Sequence, residues 1–415
     1  MAERFAALFV TMLALSTLLR AWLLVRQVRS VRAHREAVPA AFAARISLDE
    51  HRQAADYTLE KTRLALIALA AEALWLLLLT LGGWLASLAS FWQRSLPDAP
   101  YLAGLMLIFS VALAGFLVDL PFSLWRTFVI EARFGFNKTT PALFLIDLVK
   151  SLLLAALFGA PLVLTALWLV DALGAHWWLG VWAVWLGFNL LLLWLYPTVI
   201  APLFNKFVPL AEGEVKSRIE ALLARCGFSP AGLFVMDGSK RSAHGNAYFP
   251  GFGAARRIVF FDTLLEKLAP SEIEAVLAHE LGHFKRRHVA KRLVLMAAVS
   301  LGLLWLLGAL IDEPWFYAGL GAGGTAPTTA LALLLFVLVL PVFAFPLTPL
   351  FSALSRRHEF EADAFAAQQT SAADLVQALV KLYRDNAATL TPDPLYSLFH
   401  DSHPPAAARI ARLTG

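Results

Sequence analysis

Seven apolar runs decide what this chain can fold into: 5–25, 64–91, 102–130, 143–173, 177–200, 293–311 and 331–354. A helix of about 20 apolar residues crosses the hydrocarbon core of a bilayer, and each run is close to or beyond that length. The chain is 59% hydrophobic and only 16% charged. Soluble globular proteins are typically about 45–50% apolar and about 25% charged, so a membrane protein is expected, with polar sequence left over for a small soluble domain. The first run has no clear small-x-small cleavage site and leads into a basic loop. It reads as an anchoring helix and not as a cleaved signal.

The distribution of charge tests these crossings. The eight Lys/Arg of 26–63, together with the basic residues after the third and fifth runs, hold most of the positive charge in the loops. The loops 92–101, 174–176 and 312–330 hold only Arg94. Such alternation is what seven true crossings produce, with the N-terminus outside and the C-terminus in the cytoplasm. It also explains the net charge of +5 without a nucleic-acid partner, because the basic residues cluster in loops between apolar runs. The expected organisation is an N-terminal membrane region over 1–201, a first catalytic part over 202–292, two membrane helices over 293–354 and a second catalytic part over 355–415. The two polar parts fall on the same side of the membrane and can form one domain.

The chemistry is concentrated at Ala278-His279-Glu280-Leu281-Gly282-His283, inside a helical pattern running from Ser271 to about Arg292. Histidines four apart lie about 40° from each other on a helix, one turn up, so both rings can reach one metal ion. The intervening glutamate can hold or deprotonate a water there, which is the logic of the H-E-x-x-H zinc peptidases. With Cys226 the sole cysteine, a cysteine-rich zinc site is excluded, and histidine and carboxylate must hold the metal. His288 points to the far side of the helix and is rejected as a ligand.

A third ligand is sought in Ser355-Arg356-Arg357-His358-Glu359-Phe360-Glu361-Ala362-Asp363. His358, Glu359, Glu361 and Asp363 are the candidates. Glu359 and Asp363 share a helix face, so one arrangement has Glu359 binding the metal while Asp363 accepts the outward N–H of a ligating histidine. Glu361 and the arginines then read as a solvated or helix-pairing face. Upstream, 232–236 and 257–261 are β-like, and Asn246-Ala247-Tyr248 between them is a further candidate strand. Its edge could hold a substrate backbone in extended form.

These motifs resemble the CAAX prenyl protease 1 family of membrane zinc metalloproteases. The likeness runs through Leu120-Pro121-Phe122-Ser123, Phe128-Val129-Ile130-Glu131, Gly135-Phe136-Asn137-Lys138, Pro202-Leu203-Phe204-Asn205-Lys206-Phe207, Asp237-Gly238-Ser239-Lys240-Arg241-Ser242, Asn246-Ala247-Tyr248, Arg257-Ile258-Val259, Asp262-Thr263-Leu264-Leu265, the HELGH core, the Glu359 segment and His403-Pro404-Pro405, covering roughly residues 50 to 412. The shorter HtpX-type proteases resemble only the catalytic part. The resemblance implies a mainly α polytopic fold: about seven transmembrane helices in a barrel around an internal chamber, with a small α+β zinc-metalloprotease domain. Glu72, Asp119 and Asn189 would then line the chamber or bond between helices. The resemblance further implies one zinc ion per chain on His279, His283 and Glu359, with Glu280 as general base. Asn246-Ala247, with Tyr248 beside them, would bind substrate main chain, and His403 and Arg409 would lie near the site to stabilise an oxyanion or orient substrate. The expected substrate is a peptide or protein, prenylated at a C-terminal CAAX motif or, alternatively, a non-prenylated membrane protein under quality control. The expected setting is the bilayer with the catalytic part facing the cytoplasm, in the endoplasmic reticulum of a eukaryote or the inner membrane of a bacterium. A non-enzymatic scaffold or transporter is disfavoured by the intact metal ligands and Glu280.

Overall fold

The computed structural model describes residues 1–229, 231–245, 247–248 and 257–415. Its membrane region begins with α1 (Ala2–Ala33), α2 (Leu48–Leu79), α3 (Trp84–Ser95) and α4 (Pro100–Trp125), followed by α5 (Pro141–Leu173), α6 (Trp177–Leu195) and the short α7 (Ala201–Phe204). Local sequence sets these limits. Ser47 and Glu50 form a reciprocal cap on α2, and Pro100 and Pro141 stand in the first turns of α4 and α5, where an N–H is not needed.

Among the described residues, helices long and apolar enough to cross a membrane fall in six segments, of which the longest, Pro141–Phe204, spans 64 residues. A straight helix of that length would reach about 96 Å, far beyond a bilayer. It breaks at Gly174 (φ +51°) in a 3-10 turn and doubles back as α5 and α6. Lys150, early in α5, accordingly donates to the Leu203 carbonyl just past α6 (2.7 Å). The hairpin makes the fourth and fifth crossings separate. The second expected run differs from what is observed. It does not extend to Phe91: α2 ends at Leu79, capped by Thr80, and after Gly83 at φ +72° the separate α3 begins.

The polar part follows: β1 (Phe207–Pro209), α8 (Glu214–Cys226), β2 (Gly232–Met236), β3 (Ala247–Tyr248), β4 (Arg257–Phe261), α9 (Asp262–Lys267) and α10 (Pro270–Lys285). The sheet order is β1-β2-β4-β3, with only β2 and β4 parallel. Next come α11 (His288–Leu310), α12 (Pro314–Gly319) and α13 (Thr329–Ala344), then α14 (Thr348–Gln369), α15 (Ala372–Asp385), α16 (Pro394–His400) and α17 (Ala406–Thr414). The last apolar run passes without a loop into α14. A 3-10 turn at Phe345–Leu347, where Pro346 offers no N–H, joins them.

The long helices form a closed ring: α1 packs on α2, α2 on α4, α4 on α5, α5 on α6, α6 on α11, α11 on α13, and α13 back on α1. At one end α4, α5 and α13 converge. A Cβ on Gly104 would lie 2.9 Å from Leu167 and 3.0 Å from Ala330. Away from such crossings contact is uneven: only 6% of the apolar window of α11 is buried, against 44% for the segment containing α13. A helix such as α11 therefore has two bare faces, one for lipid and one for the interior. Glu72 meets Arg20 across α1 and α2 (3.2 Å), and both line a cavity of about 660 Å³. Asn189 donates to the Trp185 carbonyl of its own helix.

The second buried core joins sequence from both sides of the α11–α13 insertion. Ile219, Leu222, Phe260, Leu277 and Leu281 pack with Phe365, Ala366, Leu375 and Leu379. Ion pairs tie this unit to the ring: Arg26 with Asp393 (2.9 Å), and Arg241 with Asp147 (2.7 Å).

Candidate metal centre

Two helices carry the centre, and each runs into a membrane helix. After α10 the chain turns at Arg287, which adopts a left-handed φ of +56°, and enters α11 at once. The helix α14 follows α13 directly. The pair crosses at closest approach where Gly282 faces Ala362. A Cβ on Gly282 would lie 2.9 Å from the Ala362 Cα and 3.0 Å from its carbonyl oxygen. Glycine at this point of HELGH lets one backbone rest on the other, which brings side chains from both helices to one place.

His279, His283 and Glu359 each present a ligand atom there, all within 4.8 Å of one another. His279 Nε2 lies 3.2 Å from His283 Nε2 and 3.4 Å from Glu359 Oε2, and His283 Nε2 lies 3.3 Å from Glu359 Oε1. His279 and Glu359 are buried, at 7% and 2% exposure. Asp363 takes the outward edge of His279, with Oδ1 2.8 Å from Nδ1. An ionised carboxylate can only accept, so Nδ1 carries the proton and Nε2 presents a lone pair inward. Arg409 Nη2, 3.4 Å from the same Nδ1, therefore makes no hydrogen bond to it. Its partner is Asp363, to which Nε and Nη2 donate at 2.8 Å and 2.6 Å.

Glu359 Oε2 is buried with no hydrogen-bond partner among the described residues. A carboxylate oxygen among imidazole lone pairs is repulsive unless a cation or proton sits between them. The residues present thus fit a metal: two imidazole nitrogens, one carboxylate oxygen and an orphaned buried acceptor. Without one, a proton takes the place. Burial pushes the His279 imidazolium down, but the facing carboxylates of Asp363 and Glu359 outweigh that and carry its pKa up to about 9.

The other expected residues divide. Glu280 is half-buried on the same turn of α10 as His279. His403 Nε2 approaches Glu359 Oε2 at 3.5 Å, with the side chain 63% exposed. Protein around the ring lowers its pKa by desolvation, against the pull of Glu359. Arg409 is buried and committed to Asp363, with Nη1 still 3.9 Å from Glu359 Oε2. Asn246 lies outside the described residues. Ala247 and Tyr248 form β3, the last strand in the sheet order.

The segment leading into β3 is held from several sides. Phe136 and Lys138 pair with the 241–243 backbone at 3.0 Å each, which gives the Gly135-Phe136-Asn137-Lys138 loop a use. Gly245 N donates to Asn386 Oδ1 (3.1 Å), and Thr263 Oγ1 donates to the His244 carbonyl (2.9 Å). Glu131 accepts from Tyr57 and lies 3.4 Å from His244, whose ring stacks on Phe136. Sequence reasoning took Glu131 only as part of a motif carrying the family resemblance and missed His244 and Asn386. They are far apart in the chain and carry no fixed spacing.

The helix crossing yields a prediction. Gly282→Ala should force α10 and α14 apart by a few tenths of an ångström or more, costing about 1–3 kcal/mol of stability. Zinc affinity should fall at least tenfold, as measured by chelator competition. Unchanged affinity would mean that the crossing does not set the ligand geometry.

Comparison with known proteins agrees with this arrangement. Residues 27–206 match the family described as CAAX prenyl protease N-terminal, five membrane helices, and residues 209–415 match peptidase family M48. The CAAX prenyl protease 1 homolog of Arabidopsis thaliana is 39% identical over 307 residues, which is 72% of this chain and 70% of that protein. CAAX prenyl protease 1 of Saccharomyces cerevisiae is 37% identical over 311 residues, 72% of this chain and 69% of its own. The crystal structure of S. mikatae Ste24p superposes with a TM-score of 0.92 at 29% identity, covering 99% of both chains. The ring of long helices and the small sheet beside the HELGH helix are thus a known membrane-protease architecture, and this chain belongs to the CAAX prenyl protease 1 family of integral-membrane metallopeptidases.

Proposed function

We propose that the chain is a zinc endopeptidase that removes the C-terminal tripeptide from prenylated proteins at the cytoplasmic face of its membrane. The observation that carries the metal assignment is a spacing. Four tetrahedral ligands about 2.0–2.1 Å from one zinc ion lie about 3.3 Å apart. His279 Nε2 and His283 Nε2 are 3.2 Å apart, close to that spacing, and each faces a different oxygen of Glu359, Oε2 at 3.4 Å and Oε1 at 3.3 Å, so that one ligand atom from each residue lies within 4.8 Å of the others. One ion per chain, with a fourth position left for water or substrate, follows from three protein ligands. When bound, zinc would make that water acidic near neutral pH and polarise the scissile carbonyl.

The chain's own residues do the rest. Asp363 holds His279 in the tautomer that leaves Nε2 free, and Arg409 holds Asp363. Glu280 takes the proton of the attacking water and delivers it to the leaving amine. His403, exposed and 3.5 Å from Glu359, donates to the oxygen on which negative charge develops. Arg409, with Nε and Nη2 taken by Asp363, acts through that aspartate. The strand β3, with Asn246 before it, takes the substrate backbone as an added strand. The two catalytic parts, 202–292 and 355–415, form one domain on the cytoplasmic side. That reading is supported by their shared core and by the basic loops after the third and fifth crossings.

The test uses purified full-length protein in lipid nanodiscs and a pair of peptides ending in a CAAX sequence, farnesylated and not. The expected result is release of the tripeptide from the farnesylated peptide, abolished by chelation and restored by zinc. Equal cleavage of both peptides would overturn the prenyl requirement and favour a quality-control role. Chelator-resistant cleavage would overturn the zinc assignment.

A further inference from the structure

The proton inventory around His283 leads past the metal centre to two residues with no assigned part in it. On its outward edge, His283 Nδ1 lies 3.0 Å from His288 Nδ1. On the opposite edge of that second ring, His288 Nε2 lies 3.1 Å from Glu361 Oε2. Glu361 is ionised beside Arg357 (3.0 Å) and can only accept, so His288 Nε2 carries a proton. A neutral His288 then has a bare Nδ1, which must accept from His283 Nδ1–H. His283 is left with its lone pair on Nε2, the atom that faces His279 and Glu359. The alternative, a doubly protonated His288, would donate into His283 Nδ1. It would put the remaining proton on Nε2, where a ligand needs its lone pair, and would place a second cation 3.0 Å from a metal-bearing ring.

We propose that His288 and Glu361 form the positioning chain for His283, as Asp363 and Arg409 do for His279. The inference rests on reading His283 as a metal ligand. The chain is built for rigidity. His288 is 1% exposed at the first position of α11, and its ring stacks on His358 at 4.0 Å with 13° between the planes. His358 is itself 3% exposed. The left-handed Arg287 makes the arrangement possible. On a continuous helix, His288 would lie about 140° from His283 and face away, because five residues are not a whole number of turns. The break between α10 and α11 returns its ring to the metal side. Each histidine of HELGH thereby has its own carboxylate at the end of a hydrogen-bond path, one through Asp363 directly and one through His288 to Glu361. Both carboxylates come from α14, the helix that supplies Glu359.

Acceptors behind ligating histidines are typically worth about 10–100-fold in metal affinity. The experiment measures zinc affinity by chelator competition, and the visible spectrum of the cobalt-loaded protein, on the full-length chain in detergent. His288→Ala should weaken zinc binding about 10–100-fold and shift the cobalt bands. His288→Asn places an oxygen where Nδ1 stood and should recover most of that loss. Glu361 is partly exposed, so Glu361→Ala does not threaten the fold. It should cost several-fold in affinity while stoichiometric zinc is still bound at saturation. His283→Ala should lose zinc outright. If His283→Ala loses zinc but His288→Ala, His288→Asn and Glu361→Ala all match wild type, the positioning chain is wrong and the ligand assignment stands. If His283→Ala keeps zinc, the ligand assignment fails and the chain fails with it. Should His288→Ala not fold, the other two variants decide.

Discussion

Glu280→Gln should bind zinc as the wild type does and lose turnover by about a thousandfold or more. A general base in this role typically contributes about 10²–10⁴-fold, and a thousandfold loss is about 4 kcal/mol of barrier. Glutamine has nearly the shape of glutamate and can still hold a water by one hydrogen bond, but it cannot take a proton. The loss should therefore appear in kcat, with KM little changed, because the residue does its work only as the bond is attacked. Zinc content by mass spectrometry of the intact protein, set beside single-turnover cleavage rates, makes the check. A variant that cleaves at wild-type rate would remove Glu280 from the reaction. A variant that has lost its zinc would place Glu280 among the ligands.

Glu359→Ala should lose both zinc and activity. The side chain is buried at the crossing of α10 and α14, and its two oxygens face the two histidines at 3.4 and 3.3 Å. Removing it leaves two imidazoles, too few for a zinc peptidase site. The difference is measurable as stability. Zinc at a thousand times its Kd stabilises a folded protein that binds it by about 4 kcal/mol. The melting temperature of the wild type should therefore rise on zinc addition, and that of Glu359→Ala should stay where it is. Glu361→Ala is the matched control, two residues along the same helix and on its opposite side, and should keep most of the rise. Loss of the rise in Glu361→Ala with retention in Glu359→Ala would reverse the ligand assignment.

What the sequence announced and what it hid follow the physics of each feature. His279, Glu280 and His283 obey a local periodic rule, and so do Glu359 and Asp363, so their helix faces could be read directly. The crossings were legible because a bilayer imposes a length and cytoplasmic loops collect positive charge. The break between α2 and α3 was not. Gly82-Gly83 sits inside an apolar run, and hydropathy does not register a change of backbone hand. His288 was misplaced for a related reason. Its relation to His283 depends on a left-handed turn at Arg287, and arginine does not advertise that conformation. Arg409 was drawn toward the site by resemblance. Asp363 holds two of its nitrogens, a pairing across 46 residues that no local spacing announces.

The direct joining of α10 to α11 and of α13 to α14 also bears on how the protein comes into being. The HELGH helix leaves the ribosome before either membrane crossing that follows it, while the carboxylate it needs arrives only after both have been threaded. A nascent chain stalled between those two events carries two histidines and no third ligand. The ability to cut peptides is thereby withheld until insertion is finished. With Glu359 as the proposed third ligand, the order of translation itself keeps the metal site incomplete while the chain is being made.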